Sequence, residues 1–133
     1  MQITLESDYA VRIVSCLAES KRRMDAKTIS EQTCVTLRFA LKILRKLVAS
    51  GIIKSFKGTQ GGYELAKTPQ EISLKDVIET VEGRYFLSKC LSDSYDCNRG
   101  MSGICRFQKV YDEISSDVEK KLASYTFDMF IDT

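Results

Sequence analysis

The sequence contains no histidine and no tryptophan. Without histidine the chain cannot form a Ser-His-Asp triad, a Cys-His dyad, an HExxH zinc site or a zinc finger of the Cys/His type. No apolar run approaches the length that spans a bilayer, and the N-terminus lacks the apolar stretch of a signal peptide. We therefore expect a soluble, cytoplasmic protein that has no membrane partner.

Net charge is also small, but the charges are unevenly distributed. The 133 residues are 44% hydrophobic and carry a formal net charge of +2. This composition fits one folded domain and excludes disorder, which combines low hydrophobicity with high net charge. Residues 1–67 hold 12 Lys and Arg against 6 Asp and Glu, whereas residues 68–133 hold 8 against 12. The basic front half favours a polyanion as partner, although a solvated surface with chance asymmetry would look the same.

Hydrophobic periodicity predicts three helices and a hairpin in the first half. Apolar residues recur at helical spacing over residues 6–20. Asp25 is a fitting N-cap for a short helix over Ala26–Thr33, and Thr36 caps a third helix that ends before Gly51. The pattern then changes to two predicted strands, residues 52–56 and 63–66, joined by a turn rich in glycine.

The second half is predicted to hold two more helices separated by an irregular segment. Ser73 caps one helix and Gly83 ends it. Residues 84–104, called here the cysteine loop, show no period. A long helix begins after Cys105, and its apolar seam is typical of a helix that packs against another helix, such as that of a second copy; the seam comprises Phe107, Val110, Tyr111, Ile114, Val118, Leu122 and Tyr125. The tail from Thr126 has no clear pattern.

These elements predict a mainly α fold with a small β-hairpin. We expect a winged helix-turn-helix DNA-binding domain over residues 1–83, the cysteine loop over residues 84–104, and a dimerisation helix and tail over residues 105–133. A helix fits the major groove, where its N-terminal side chains reach base edges, and a glycine-rich wing approaches the minor groove or the backbone. The candidate DNA-binding residues are Thr36, Arg38, Phe39, Lys42, Arg45, Lys46, Lys57, Thr59 and Gln60.

Two other interpretations of this head remain open. Its basic face could simply be solvated, and a winged helix also serves protein contacts. The ordered occurrence of helix, turn, helix and wing favours DNA, because such an order arises by chance less easily than a single motif.

Five cysteines in an intracellular chain are expected to be reduced thiols. Cys90, Cys97 and Cys105 fall in one segment that also contains glycine, and thiolates are soft ligands suited to iron–sulfur clusters, zinc or copper(I). Structural zinc usually takes four ligands, a redox switch needs only two thiols, and an inert thiol packs as a small hydrophobe. For Cys16 and Cys34 we expect packing.

The residues together resemble the Rrf-two family of bacterial winged-helix regulators, of the IscR, NsrR and CymR type. The resemblance runs from Met1 to about Leu122. Its most specific part is the wing, which is followed by a Glu82-Gly83 pair. The stretches that carry it are residues 7–12, 36–39, 51–55 and 57–67. The resemblance implies a homodimer built through the C-terminal helix, a double-stranded palindromic operator, and ligation of an iron–sulfur cluster by Cys90, Cys97 and Cys105.

The fourth cluster ligand separates subgroups of the family. One subgroup uses a histidine shortly after the third cysteine, where this chain has Gln108. Another uses an aspartate on the first helix of the partner subunit, and Asp8 matches that position. The resemblance therefore implies Asp8 as the fourth ligand and favours a 4Fe-4S cluster over a 2Fe-2S cluster. The alternative role for Asp8 is a first-turn carboxylate stabilised by the helix dipole.

Taken together, the sequence predicts a transcriptional repressor whose operator affinity is set by a cluster that senses redox state, nitric oxide or iron status. The alternative is a winged-helix regulator without a cluster, controlled by cysteine oxidation or by a protein partner. An enzyme is not expected, because no acid–base pair, phosphate loop or nucleophile–base motif is present.

Overall fold

A computed structural model describes residues 2–131 of the chain. It has the predicted architecture of five α-helices and one β-hairpin. The elements are α1 (Leu5–Ser20), α2 (Ala26–Thr33), α3 (Leu37–Ala49), β1 (Ile53–Phe56), β2 (Gly62–Leu65), α4 (Leu74–Glu82) and α5 (Arg106–Ala123). Short 3-10 turns cover Pro69–Glu71, Lys89–Leu91 and Phe127–Phe130. Met1 of the predicted head and Asp132 and Thr133 of the predicted tail lie outside the described residues.

The predicted helix caps are confirmed. The side chains of Asp25 and Thr36 accept hydrogen bonds from backbone N–H groups in the first turns of α2 and α3. Ser73 forms a full capping box with Asp76 at the start of α4. Each cap satisfies a donor that has no partner inside the helix, and so it sets where the helix begins.

The core forms where α1, α2, α3 and the hairpin meet. Apolar residues of α1 and α3 are buried there, and Ile13, Leu17 and Ile43 are at most 2% exposed. Val77 and Ile78 of α4 extend this core, whereas Leu74 and Val81 are half-buried against it. Because α1 contributes its buried face to every neighbouring helix of the head, its exposed face is held in a defined position relative to α3.

The hairpin strands are antiparallel, with Ile53 opposite Leu65 and Phe56 opposite Gly62. Each strand lies close to its predicted range. Met24, in the loop between α1 and α2, forms a bridge with Tyr63 and extends the ladder. Gly62 has a φ of +139°, and a Cβ there would lie 2.5 Å from the Met24 carbonyl oxygen. Only glycine permits this approach of the loop to the hairpin.

The two cysteines of the head, Cys16 and Cys34, differ in their surroundings. Cys16 is half-buried and packs against the core, with its sulfur 3.9 Å from that of Met24. Cys34 is exposed and ends α2 in the left-handed region, at φ 58°. The expectation that Cys34 packs is wrong, because its neighbours Thr33 and Val35 turn inward and leave Cys34 facing out.

The tail is ordered on the head rather than continuing the long helix. Helix α5 ends at Ala123, so Tyr125 of the predicted seam lies beyond it. Thr126 bridges Ser73, and the Phe127 amide donates to the Ile72 carbonyl at 3.0 Å. The Phe127 side chain is 1% exposed and belongs to the core.

No helix within residues 2–131 has the length and apolar character needed to cross a bilayer.

Truncation of the buried tail aromatic should destabilise the head. We expect Phe127→Ala to lower the free energy of unfolding by about 3–5 kcal/mol, through lost burial and the cavity left behind. The measurement is urea denaturation followed by far-UV circular dichroism. Phe130→Ala is the matched control, because Phe130 is 49% exposed; it should change stability by less than about 1 kcal/mol. Equal effects of the two variants would contradict the packing described for the tail.

Candidate nucleic-acid interface and cysteine loop

The exposed face of α3 carries three cations and an aromatic ring. Arg38, Phe39, Lys42 and Arg45 line an open concavity of about 520 Å³, together with Leu41. Lys46 lies at the margin and is half-buried, and the Thr36 hydroxyl accepts the Phe39 N–H at 3.3 Å. The candidate residues of α3 therefore lie on one surface, with Thr36 engaged as the cap of the helix.

An acidic residue that the sequence did not single out lies beside these cations. The Glu6 carboxylate of α1 is 2.9 Å from the Lys46 ammonium and 3.7 Å from that of Lys42. The hydrogen bond from Lys46 is the main cause that lowers the pKa of Glu6, with further lowering by the charges of both lysines. The sequence near either residue gives little indication of this contact, because Glu6 and Lys46 are 40 positions apart.

A chain of side-chain contacts joins the start of α1 to α3. Asp8 forms an ion pair with Arg12 at 2.8 Å, and the Arg12 guanidinium lies 5.1 Å from the centre of the Tyr9 ring. Tyr9 meets Phe39 edge-to-face, with ring centres 5.9 Å apart. Arg12 also donates to the Thr33 carbonyl at 3.3 Å, at the end of α2. The surroundings of Asp8 are thus linked to both helices of the helix-turn-helix.

The wing tip presents Lys57, Thr59 and Gln60, which are all exposed. The turn closes through a hydrogen bond from the Gly61 amide to the Gly58 carbonyl at 3.0 Å. A Cβ at position 61 would lie 2.5 Å from the Phe56 carbonyl oxygen. Glycine therefore keeps the tip thin, as a wing that approaches a nucleic-acid groove requires.

The cysteine loop and the N-cap residue of α5 bring three thiols together. Cys90, Cys97 and Cys105 line one cavity of about 230 Å³. Backbone N–H groups of Met101 and Arg99 point at the Cys97 sulfur and lower the pKa of its thiol. The Arg99 guanidinium lies 3.6 Å from the Cys105 sulfur, and Cys90 donates to the Ser88 hydroxyl oxygen at 3.3 Å.

Gln108 ties the two ends of the loop together. Its side-chain amide donates to the Cys90 carbonyl at 2.8 Å, and its carbonyl oxygen accepts the Gly103 N–H at 2.8 Å. Gln108 thus uses both ends of its side chain on the backbone of the segment that carries the cysteines. The sequence indicated this position only as the place of a missing histidine.

The donor chemistry of the cavity fits an iron–sulfur cluster, since three soft sulfur donors converge and one is favoured as thiolate. The expected fourth donor, Asp8, does not reach the cavity of its own chain. It does not line this cavity and is paired with Arg12. Among residues 2–131, no three or more Cys, Asp or Glu side chains are already arranged around a metal position.

Helix α5 presents an apolar stripe to solvent in the single chain. Phe107 is 63% exposed, Val110 50% and Ile114 40%. Their spacing of three and four residues places them on one face of the helix. These are three of the residues predicted to form the helix seam.

Comparison with known proteins supports these assignments at the level of fold and family. Residues 3–133 match the Rrf2 family, described as iron-dependent transcriptional regulators. An rrf2-like HTH-type transcriptional regulator of Rhodobacter capsulatus is 30% identical over 122 residues, which cover 84% of this chain and 80% of that protein. The HTH-type transcriptional regulator NsrR of Shouchella clausii is 28% identical over 129 residues, covering 95% and 85%.

Solved structures show the same fold. IscR of T. potens superposes with a TM-score of 0.72 at 23% identity, covering 96% of this chain and 84% of that one. CymR of B. subtilis, a global cysteine regulator, superposes with a TM-score of 0.75 at 21% identity, covering 96% and 94%. With the family match extending over nearly the whole sequence, this chain belongs to the Rrf2 family of DNA-binding transcriptional regulators.

Proposed function

We propose that this chain is a cytoplasmic repressor that binds a palindromic operator as a homodimer, with an iron–sulfur cluster setting its affinity. The observation that carries the DNA-binding part is the cationic face of α3, which occurs together with an exposed wing tip. Arg38 and Lys42 are suited to guanine acceptors, and Phe39 to a thymine methyl group. Arg45, Lys46 and Lys57 are suited to phosphates. Thr36, Thr59 and Gln60 complete the proposed interface.

The homodimer is supported by the apolar stripe of α5. Phe107, Val110 and Ile114 expose a continuous face that a second copy of the helix would bury. A twofold dimer presents two α3 helices related by symmetry, and so it matches a palindromic site.

The cluster is supported by the shared cavity of the three thiols. Cys90, Cys97 and Cys105 would hold it, with Asp8 of the partner subunit as the fourth ligand and 4Fe-4S favoured over 2Fe-2S. A bound cluster supplies iron that responds to oxidants, nitric oxide or iron shortage. A carboxylate is a harder ligand than a thiolate, so the site would be labile, as a sensor requires.

The contacts around Asp8 suggest how cluster ligation by Asp8 would affect the proposed DNA-binding face. An Asp8 side chain that leaves its ion pair frees the Arg12 guanidinium, which now contacts the Thr33 carbonyl and the Tyr9 ring. Tyr9 in turn packs on Phe39 of α3. A change at Asp8 therefore alters the packing of both helices of the helix-turn-helix.

The second candidate is a regulator without a cluster that responds through its thiols. The lowered pKa of Cys97 favours it, because the thiolate is the form that oxidants attack. The neighbouring cysteines of the cavity could resolve an oxidised Cys97 as a disulfide.

Binding to duplex DNA should be specific and sensitive to salt. Duplexes selected from a random pool should be palindromic, and their affinity should fall steeply with salt as phosphate contacts release counterions. Arg38→Ala should weaken binding by about tenfold or more in fluorescence anisotropy, since a lost base contact costs about 1–3 kcal/mol. Lys120→Ala, in the last turn of α5, removes the same charge away from α3 and should leave Kd within about twofold.

Sedimentation and DNA binding together test the dimer. Val110→Glu should give a monomer in analytical ultracentrifugation and lose preference for palindromes over half-sites. Ser116→Glu is the matched control, because Ser116 is exposed on the opposite side of α5 and should stay dimeric. A wild-type chain that is monomeric, or that binds no duplex at low salt, would contradict the proposal.

Glu6 should weaken DNA binding in the wild-type protein. Because Glu6 neutralises Lys42 and Lys46 on the α3 face, Glu6→Gln should tighten DNA binding by about twofold to fivefold, in line with the modest energy of a partly exposed ion pair. The salt dependence of Kd should steepen, since freed lysines reach phosphates. Glu19→Gln removes a charge near the other end of α1 and should have a smaller effect. Unchanged affinity in Glu6→Gln would show that the lysines do not act on DNA.

A bound cluster should give the protein colour and a measurable iron content. Protein purified without oxygen should be coloured and contain iron and acid-labile sulfide, and Cys97→Ser should be colourless. Cys34→Ser is the matched control and should keep full iron content, because Cys34 is exposed in the turn between α2 and α3.

The fourth ligand needs its own variant. Asp8→Ala should bind a cluster with an altered Mössbauer spectrum and faster loss in air. An unchanged spectrum would exclude Asp8 as ligand. Iron-free wild-type protein after anaerobic reconstitution would exclude the cluster and favour the thiol regulator, whose mark is oxidation of Cys97 coupled to a change in Kd.

A further inference from the structure

We propose that Arg23 is a positioning residue for DNA binding, which holds the wing in the orientation that α3 requires. This inference rests on the proposed use of the wing tip as a DNA contact. Arg23 lies in the loop between α1 and α2, more than thirty residues before the wing, and nothing in its local sequence marks it for this role.

One guanidinium group contacts the wing at three places. Its central carbon lies 3.4 Å from the centre of the Phe56 ring, at the end of β1. One terminal nitrogen donates to the Gln60 carbonyl in the turn at 3.0 Å, and the other lies 3.7 Å from the Glu64 carboxylate on β2. Arg23 therefore connects both strands and the turn to the helical part of the head.

The backbone next to Arg23 reinforces this contact. The Met24 amide donates to the Tyr63 carbonyl at 2.9 Å, and the Tyr63 amide donates to the Met24 carbonyl at 2.7 Å. A Cβ on Gly62 would lie 3.2 Å from the Arg23 Cγ. The loop and β2 are thus in close contact at Gly62, where β2 lacks side-chain bulk.

A two-stranded hairpin is marginally stable by itself, so its orientation depends on what it packs against. The wing tip extends beyond the core, and its residues 57–60 are exposed. Without the Arg23 contacts, the tip would have to be ordered when DNA binds, and this cost would weaken binding. One guanidinium nitrogen of Arg23 already donates to the wing and another is paired with Glu64, which distinguishes its role from that of Lys57.

A double-mutant cycle separates positioning from direct contact. The variants are Arg23→Met, a wing-tip variant (Lys57→Ala, Thr59→Ala and Gln60→Ala together), and their combination, all as full-length protein with a selected operator. We expect Arg23→Met to weaken binding by about fivefold to tenfold in the wild-type background and by less than about twofold in the wing-tip background. Equal losses in the two backgrounds would overturn the proposal, because Arg23 would then act independently of the wing.

Two further variants control for a general effect of charge or of folding. Arg22→Met removes the same charge from the neighbouring exposed residue and should change Kd by less than Arg23→Met. Arg23→Lys keeps the charge but not the planar group. Like Arg23→Met, it should show faster amide exchange at the wing than the wild-type protein, with unchanged exchange in α3. Wild-type exchange at the wing in both Arg23 variants would overturn the proposal.

Discussion

The burial of α1 against α2, α3 and α4 is the constraint on which the other features depend. Ile13 and Leu17 are buried in the common core, so the helix cannot rotate without exposing them. Glu6 and Tyr9 of the same helix are therefore held next to α3, and Asp8 lies nearby in an ion pair with Arg12. The same packing that stabilises the head places a proposed cluster ligand three contacts away from the proposed DNA-reading surface, through Arg12 and Tyr9 to Phe39.

The proposed DNA-binding face carries paired charges of both signs rather than a uniform positive patch. Glu6 offsets two lysines of α3, and Glu64 offsets Arg23 beside the wing. Such internal pairs hold long cationic side chains in place and reduce the net attraction for any polyanion. An operator-specific regulator benefits from this arrangement, because non-specific affinity arises mainly from phosphate contacts.

The cysteine loop combines a thiol of lowered pKa with a backbone that is hydrogen-bonded at both ends. The Cys97 thiolate is stabilised by N–H groups of its own turn, and Gln108 links the Cys90 carbonyl to the Gly103 amide. The chain is similar both to proteins named NsrR and IscR and to CymR, a cysteine regulator. The proposed cluster and the thiol alternative use the same three sulfur atoms, which makes iron content the decisive measurement.

Local sequence patterns were enough to predict the helices, their caps, the glycine-tipped wing and the family, because periodicity, capping and turn chemistry act over a few neighbouring residues. They also grouped Cys90, Cys97 and Cys105, which lie close along the chain. The tertiary structure established the contacts of Glu6 with Lys46, across 40 positions, and of Arg23 with Gln60, across 37. It likewise placed Phe127 in the core and Cys34 outside it, since these outcomes depend on how separately formed elements pack.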